Sequence, residues 1–138
     1  MRGFQKPGHR MKADRFFSVH YDIRHNPKID ILRDMGGGII ELGRWIVLLS
    51  LLYDSDGIID ITNKAKRKYL MRELELSDDG LSEFLNQCAE CDLITPDLLE
   101  LGHVVSKGVC DELDYRKQKS EAGKKGMESR WNKGKKAR

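Results

Sequence analysis

The sequence predicts one mainly α-helical domain with a small β-hairpin, and three observations predict it. The stretch 40–54, IELGRWIVLLSLLYD, places Leu42, Trp45, Ile46, Leu49, Leu52 and Tyr53 at three- and four-residue steps, with Val47 and Leu48 widening the stripe. That is the period of a helix, and a helix so apolar is central to a core. Two further helical patterns, KAKRKYLMREL and one that runs to about Cys91, are joined by the short ELSDD segment, the tight connection a helix-turn-helix needs. Directly after them LITPD, LLELG and HVVS read as strand, turn and strand.

The elements follow in order. RFFSVHYDI (15–23) is aromatic and β-branched and is expected to be extended and partly buried. Asn26 can cap a helix whose first position suits Pro27, and Ile29, Leu32 and Met35 then carry its apolar face until Gly36-Gly37-Gly38 ends it. After the long helix, DSDG (54–57) is a turn and GIIDI (57–61) a short strand. Thr62 or Asn63 caps the next helix, with Leu70 and Leu74 inside. Ser77 or Asp78 caps the one after it, with Leu81, Phe84, Leu85 and Cys88 inside. Ser106 caps a last helix through Val109, Cys110 and Leu113, and the apolar rhythm stops after Tyr115. A hairpin following the helix pair makes the predicted architecture a winged helix-turn-helix. The division expected is a disordered basic arm (1–13), the winged-helix domain (14–115) and a basic tail or linker (116–138).

Charge separates these parts. The formal net charge of +3 hides four bases and no acid in residues 1–12, ten bases against two acids in 116–138, and 11 bases against 20 acids between them. An acidic body therefore carries two basic ends, and basic ends suit a polyanion. Three Cys do not suit a fully paired disulfide framework. No signal-peptide core stands near the N-terminus. The longest apolar stretch, WIVLLSLLY, has nine residues, far below the roughly 20 that span a bilayer. A cytoplasmic, soluble protein with no membrane contact is expected.

Several of these stretches together resemble a known family. NPKIDILRDMGG, GRWIVLLSLLYDSDGIIDI, the YLMRELELSDDGLSEFLNQCAECDLI helix pair and VVSKG resemble, in that order, the N-terminal winged-helix domain of phage replisome organisers and DnaD-like primosomal proteins, over about residues 14–115. SEAGKKGMESRW resembles the basic linker that commonly follows that domain. The resemblance implies a replication-initiation protein of phage or mobile-element type that acts through DNA and other replication proteins. Helicase loading, which the family places in a second domain beyond the linker, is not carried over.

Candidate DNA contacts come from three places. Lys64, Lys66, Arg67, Lys68 and Arg72 form the one basic cluster of the body, and Lys64, Lys68 and Arg72 stand one helical turn apart. Like charges at that spacing repel, and an anionic partner relieves the repulsion. On the second helix of the pair, Asn86 and Gln87 have the chemistry to read adenine, but Asp79, Glu83 and Glu90 beside them oppose phosphates. The tail offers Lys117, Lys119, Lys124, Lys125, Arg130 and Lys133, with Trp131 set among them to stack on an exposed base. Glycines 123, 126 and 134 each weaken a helix by about 1 kcal/mol, so an isolated helix there is marginal. Binding through such groups is largely indifferent to base sequence. The hairpin has no Lys or Arg before Lys107, unlike a wing built for the minor groove. Leu98 and Leu99 near its tip are either core or a surface for self-association.

Other chemistries find little. Cys88, Cys91, His103 and Cys110 have spacings that zinc tolerates, but Cys88 falls on the predicted inner face, where a thiol acts as a small hydrophobe. No metal and no cofactor are expected. The Gly triplet lacks the Lys-Ser/Thr of a P-loop, and no acid–base pairing emerges, so the chain is not expected to be an enzyme. The functional expectation is a DNA-binding replication-initiation protein whose acidic body meets itself or replication proteins. A winged-helix transcriptional regulator and a protein–protein adaptor that does not bind DNA are the alternatives.

Overall fold

The computed structural model describes residues 16–136, with side chains through 126. The expected disordered arm, 1–13, lies outside the described residues. Residues 16–20 have no regular structure, and a turn of 3-10 helix follows at Ile23–His25. The chain then runs through α1 (Pro27–Met35), α2 (Ile39–Asp54), β1 (Ile58–Asp60), α3 (Lys64–Leu74), α4 (Asp78–Glu90), α5 (Pro96–Glu100), β2 (His103–Val105) and α6 (Lys107–Lys136). The protein is mainly α-helical with one small two-stranded antiparallel sheet.

Short polar side chains start three of these helices. The Asn26 side chain accepts from the Lys28 amide at 2.9 Å, with Pro27 at the first helical position. Asn63 accepts from the Lys66 amide at 3.1 Å, and Ser77 accepts from the Gly80 amide at 3.1 Å. Each supplies a partner that the helix itself lacks. Between α3 and α4 the chain turns through Glu75 at φ 55°, and the Leu76 amide bonds back to the Met71 carbonyl.

The core gathers around α2, whose Leu48 and Leu52 are fully buried. Ile29 and Leu32 of α1, Leu70 and Leu74 of α3, and Leu81, Phe84, Leu85 and Cys88 of α4 join them, with Ile59, Val104 and Val109 from the sheet and α6. Among the described residues one charged side chain is buried with them. Glu41 is 4% exposed, held by Arg44 at 2.8 Å, while Arg44 also donates to the Leu74 carbonyl at 3.0 Å. Glu41 folds back over Gly36, where a Cβ would lie 2.6 Å from its side chain. Glycine there lets the carboxylate in.

Two elements differ from expectation. The sheet pairs β1 with β2, Ile59 opposite Val104, rather than joining two neighbours within 93–106. The segment LITPD is not a strand: Thr95 and Pro96 take the N-cap and first positions of α5, and only the Thr95 amide, donating to the Val105 carbonyl at 2.9 Å, reaches β2. Leu99 packs against the core and Leu98 is half-buried. The second difference is α6, which continues as helix far past Tyr115 to Lys136.

Candidate nucleic-acid interface

The basic cluster on α3 splits into three directions. Lys64, Lys68 and Arg72 are all exposed and recur at one-turn steps, forming a row of like charge facing solvent. Lys66 stands on another flank, beside a cavity of about 210 Å³ lined also by Asp54, Ser55, Ile59 and Tyr69. It is near Asp60, whose carboxyl is held below its usual range, first by the Thr62 hydroxyl and amide and then by His103 and Lys66. Arg67 is half-buried and engaged by α4. Its Nε donates to the Asp78 carboxylate, and Nη2 donates to the Ser82 hydroxyl at 2.7 Å and the Asp78 carbonyl at 3.2 Å. It ties the start of α4 to α3 and so acts as a clamp, with its donors taken up by α4 at a partly exposed site.

The outer face of α4 carries Asp79, Glu83, Asn86 and Glu90, all exposed. Gln87 is half-buried, and its amide donates to the Met35 carbonyl at 3.4 Å, toward the end of α1. Of the two side chains with adenine-reading chemistry, Asn86 alone faces solvent, and three carboxylates surround its face. A helix of this charge repels a phosphate backbone at the approach distance that base contact requires.

α6 has a rooted part and an outward part. At the root, Val109 is buried, Leu113 packs on the core, and the Cys110 Sγ lies 3.8 Å from the Gly57 carbonyl oxygen. Gly57 has φ +90°, and a Cβ there would meet Cys110 Sγ at 2.9 Å, so both the turn and the close approach require glycine. Arg116 closes the root. Its Nη2 donates to the Phe16 carbonyl at 2.6 Å and its Nε to Glu112 at 3.2 Å, and the guanidinium lies 5.2 Å from the centroid of the Tyr53 ring. Phe17 stacks on the same ring at 5.0 Å. Burial raises the Tyr53 phenol, with Arg116 acting against it.

Beyond Arg116 the helix leaves the body. Every residue from 117 to 125 is exposed, including Lys117, Lys119, Lys124 and Lys125. The backbone stays helical through Arg130, Trp131 and Lys133; their side chains, and with them the stacking expected of Trp131, lie outside the described residues. Twenty residues at 1.5 Å each give this outward part a length of about 30 Å.

No family model, no curated protein and no solved structure matches the chain. What its surfaces can do follows from their own charge and exposure.

Cys88 and Cys91 are buried and Cys110 is half-buried. Burial is the main cause that pushes each thiol up, most strongly at Cys88, with the neighbouring Cys91 and Glu41 adding to it there. Cys91 donates to the Gln87 carbonyl at 3.2 Å, a weak helix-end contact. Among the described residues no group of three or more His, Cys, Asp or Glu converges as metal ligands would, and no helix is long and apolar enough to cross a membrane.

Sequence reasoning missed the Arg116–Tyr53–Phe17 junction. Its one signal was the aromatic pair Phe16-Phe17 ahead of the first helix, which needed a partner on the body. The Arg67 clamp left no local signal, because Asp78 is 11 residues away.

Proposed function

We propose that the protein binds nucleic acid through its phosphates, using the outward part of α6 together with the exposed row Lys64, Lys68 and Arg72. The observation that carries this is the outward helix itself. It holds eight bases against two acids between 117 and 136, and its described side chains there make no core. A polyanion is the partner that such a helix suits, since each phosphate neutralised releases a counterion. The contact is largely independent of base sequence, because the outer face of α4 is acidic and offers Asn86 alone for base reading.

In this proposal the fold is a winged helix-turn-helix in which α3 and α4 are the helix pair and the β1–β2 sheet stands for the wing. The role is that of a replisome-organiser-like protein in replication initiation, as the sequence resemblance implies. The acidic body serves replication proteins or a second copy of the chain. The test is fluorescence anisotropy of the intact chain with single- and double-stranded oligonucleotides of unrelated sequences at low salt. Comparable affinities across sequences are expected, with a loss when Lys64, Lys68 and Arg72 are changed to Glu. No binding at low salt would overturn the proposal, and binding confined to one short palindrome would favour a transcriptional regulator.

A further inference from the structure

The cavity beside α3 has an apolar floor and a polar rim. Leu51, Ile59 and Leu70, all buried, form the floor. Exposed Lys66 and Tyr69 of α3, with exposed Asp54 and Ser55 at the end of α2, complete it. At about 210 Å³ it is smaller than the roughly 300–1,000 Å³ pockets that enclose a whole drug-sized ligand. It suits one ring system rather than a complete nucleotide. Tyr69 is left 52% exposed. Arg72, Tyr69 and Lys66 are three residues apart in turn, so they are neighbours on the helix surface, and Tyr69 adjoins both the basic row and the cavity. Asp54 is the last residue of α2, where the helix dipole disfavours a carboxylate. Among the described residues neither the Asp54 carboxylate nor the Lys66 ammonium makes a hydrogen bond or an ion pair.

We propose that this cavity receives one unpaired base, a guanine, of a single strand whose phosphates lie along Lys64, Lys68 and Arg72. The inference rests on the reading of that row as a phosphate contact. Phosphates follow the basic row, while the Asp54 carboxylate repels them, so the base and not the backbone turns inward. Tyr69 offers a ring face on which a base stacks. The Asp54 carboxylate accepts from N–H groups. Guanine presents a ring N–H and an amino group side by side on its Watson–Crick edge, whereas thymine presents one N–H flanked by two carbonyl oxygens, and that edge is open to a protein only in an unpaired base. In a duplex the edge is paired and the base is held in the stack, so double strands use the basic row alone. Unrelated sequences of mixed composition contain guanine, so the cavity leaves them with comparable affinities.

The experiment is fluorescence anisotropy of the full-length chain at one low salt concentration. The probes are oligo-dT, the same oligo-dT with one central guanine, and a duplex. The guanine strand is expected to bind about fivefold tighter than oligo-dT, the low end of what a two-bond base contact discriminates. Tyr69→Leu keeps an apolar side chain but no ring. It is expected to lower affinity for the guanine strand about tenfold, within the range for one base–aromatic stack, and to leave duplex affinity within about twofold. Asp54→Ala is expected to bring the two single strands within about twofold of each other, with thermal melts confirming that both variants are folded. Equal binding of the two single strands by the intact protein, or equal losses on single strand and duplex from Tyr69→Leu, overturns the base site. If changing Lys64, Lys68 and Arg72 to Glu still weakens binding in that case, the phosphate reading stands. A guanine preference untouched by Asp54→Ala overturns Asp54 as the group that reads the base. Binding unchanged by the triple Glu substitution overturns the phosphate reading of the row as well.

Discussion

α6 is one helix under two regimes. From Lys107 to Arg116 it is held by the body: Val109 and Leu113 join the core, Cys110 sits against Gly57, and Arg116 closes on Tyr53 and Phe16. From Lys117 to Lys125 every residue is exposed, and only local terms act. Lys, Gln, Glu and Ala are good helix formers, but Gly123, Gly126 and Gly134 each cost about 1 kcal/mol. A free helix of about 20 residues is marginal at best. The contrast teaches that the rooted part is fixed by packing, whereas the outward part rests on local terms alone and is the segment our proposal assigns to nucleic acid.

The largest expected effect lies in the core that the rooted half joins. Leu52→Ala removes a fully buried side chain from α2 and is expected to cost about 2–5 kcal/mol, measured by urea or thermal unfolding. Lys119→Ala on the outward half is expected to leave the same transition within about 0.5 kcal/mol. A comparable cost at both positions would erase the contrast.

Gly123→Ala with Gly126→Ala sharpens it from the other side. A Cβ at either position meets nothing within 4 Å, so each change is expected to favour the outward helix by about 1 kcal/mol. Far-UV circular dichroism should show more helix while the unfolding midpoint of the body stays put. Next in size is Arg67→Ala, which releases the clamp between α3 and α4. Side-chain exposures of 24% for Arg67 and 64% for Asp78 place it among partly screened pairs, so a loss of about 1 kcal/mol is expected, with nucleic-acid affinity little changed. A large affinity loss with stability intact would return Arg67 to the phosphate-contacting set.

The smallest effect concerns pH. The Asp60 carboxyl is held down by Thr62, so its folded value lies below the unfolded value of about 3.9. Its contribution to stability is therefore present above that pH and lost as pH falls through the folded value. Wild type and Asp60→Asn should differ in urea midpoint at pH 6 and converge below about pH 4. A difference that persists into strong acid would contradict the assignment.

The local rules were readable and the non-local ones were not. Asn26, Asn63 and Ser77 announced their helices because a cap acts within three residues. The same rule applied at Thr95-Pro96 would have found α5, but the β-branched run before it read as a strand. The pairing of β1 with β2 crosses three helices, and no local pattern fixes it. α6 beyond Tyr115 was hidden because it has no apolar period and three glycines, so both usual helix signals were missing. At the candidate site the charges were legible as charges. Which of them face solvent was not: Lys64, Lys68 and Arg72 do, while Arg67 is taken by Asp78 and Gln87 by the end of α1. Those partners exist only once the fold has brought them together.

The most direct test of the outward helix is the salt dependence of duplex DNA binding by the intact chain and by a chain ending at Arg116. If the outward part neutralises about six phosphates, its removal flattens the log–log slope by about 5, while the unfolding transition of the body is kept. A slope and affinity unchanged by the truncation would contradict the account, because α6 would then reach into solvent without being the phosphate contact.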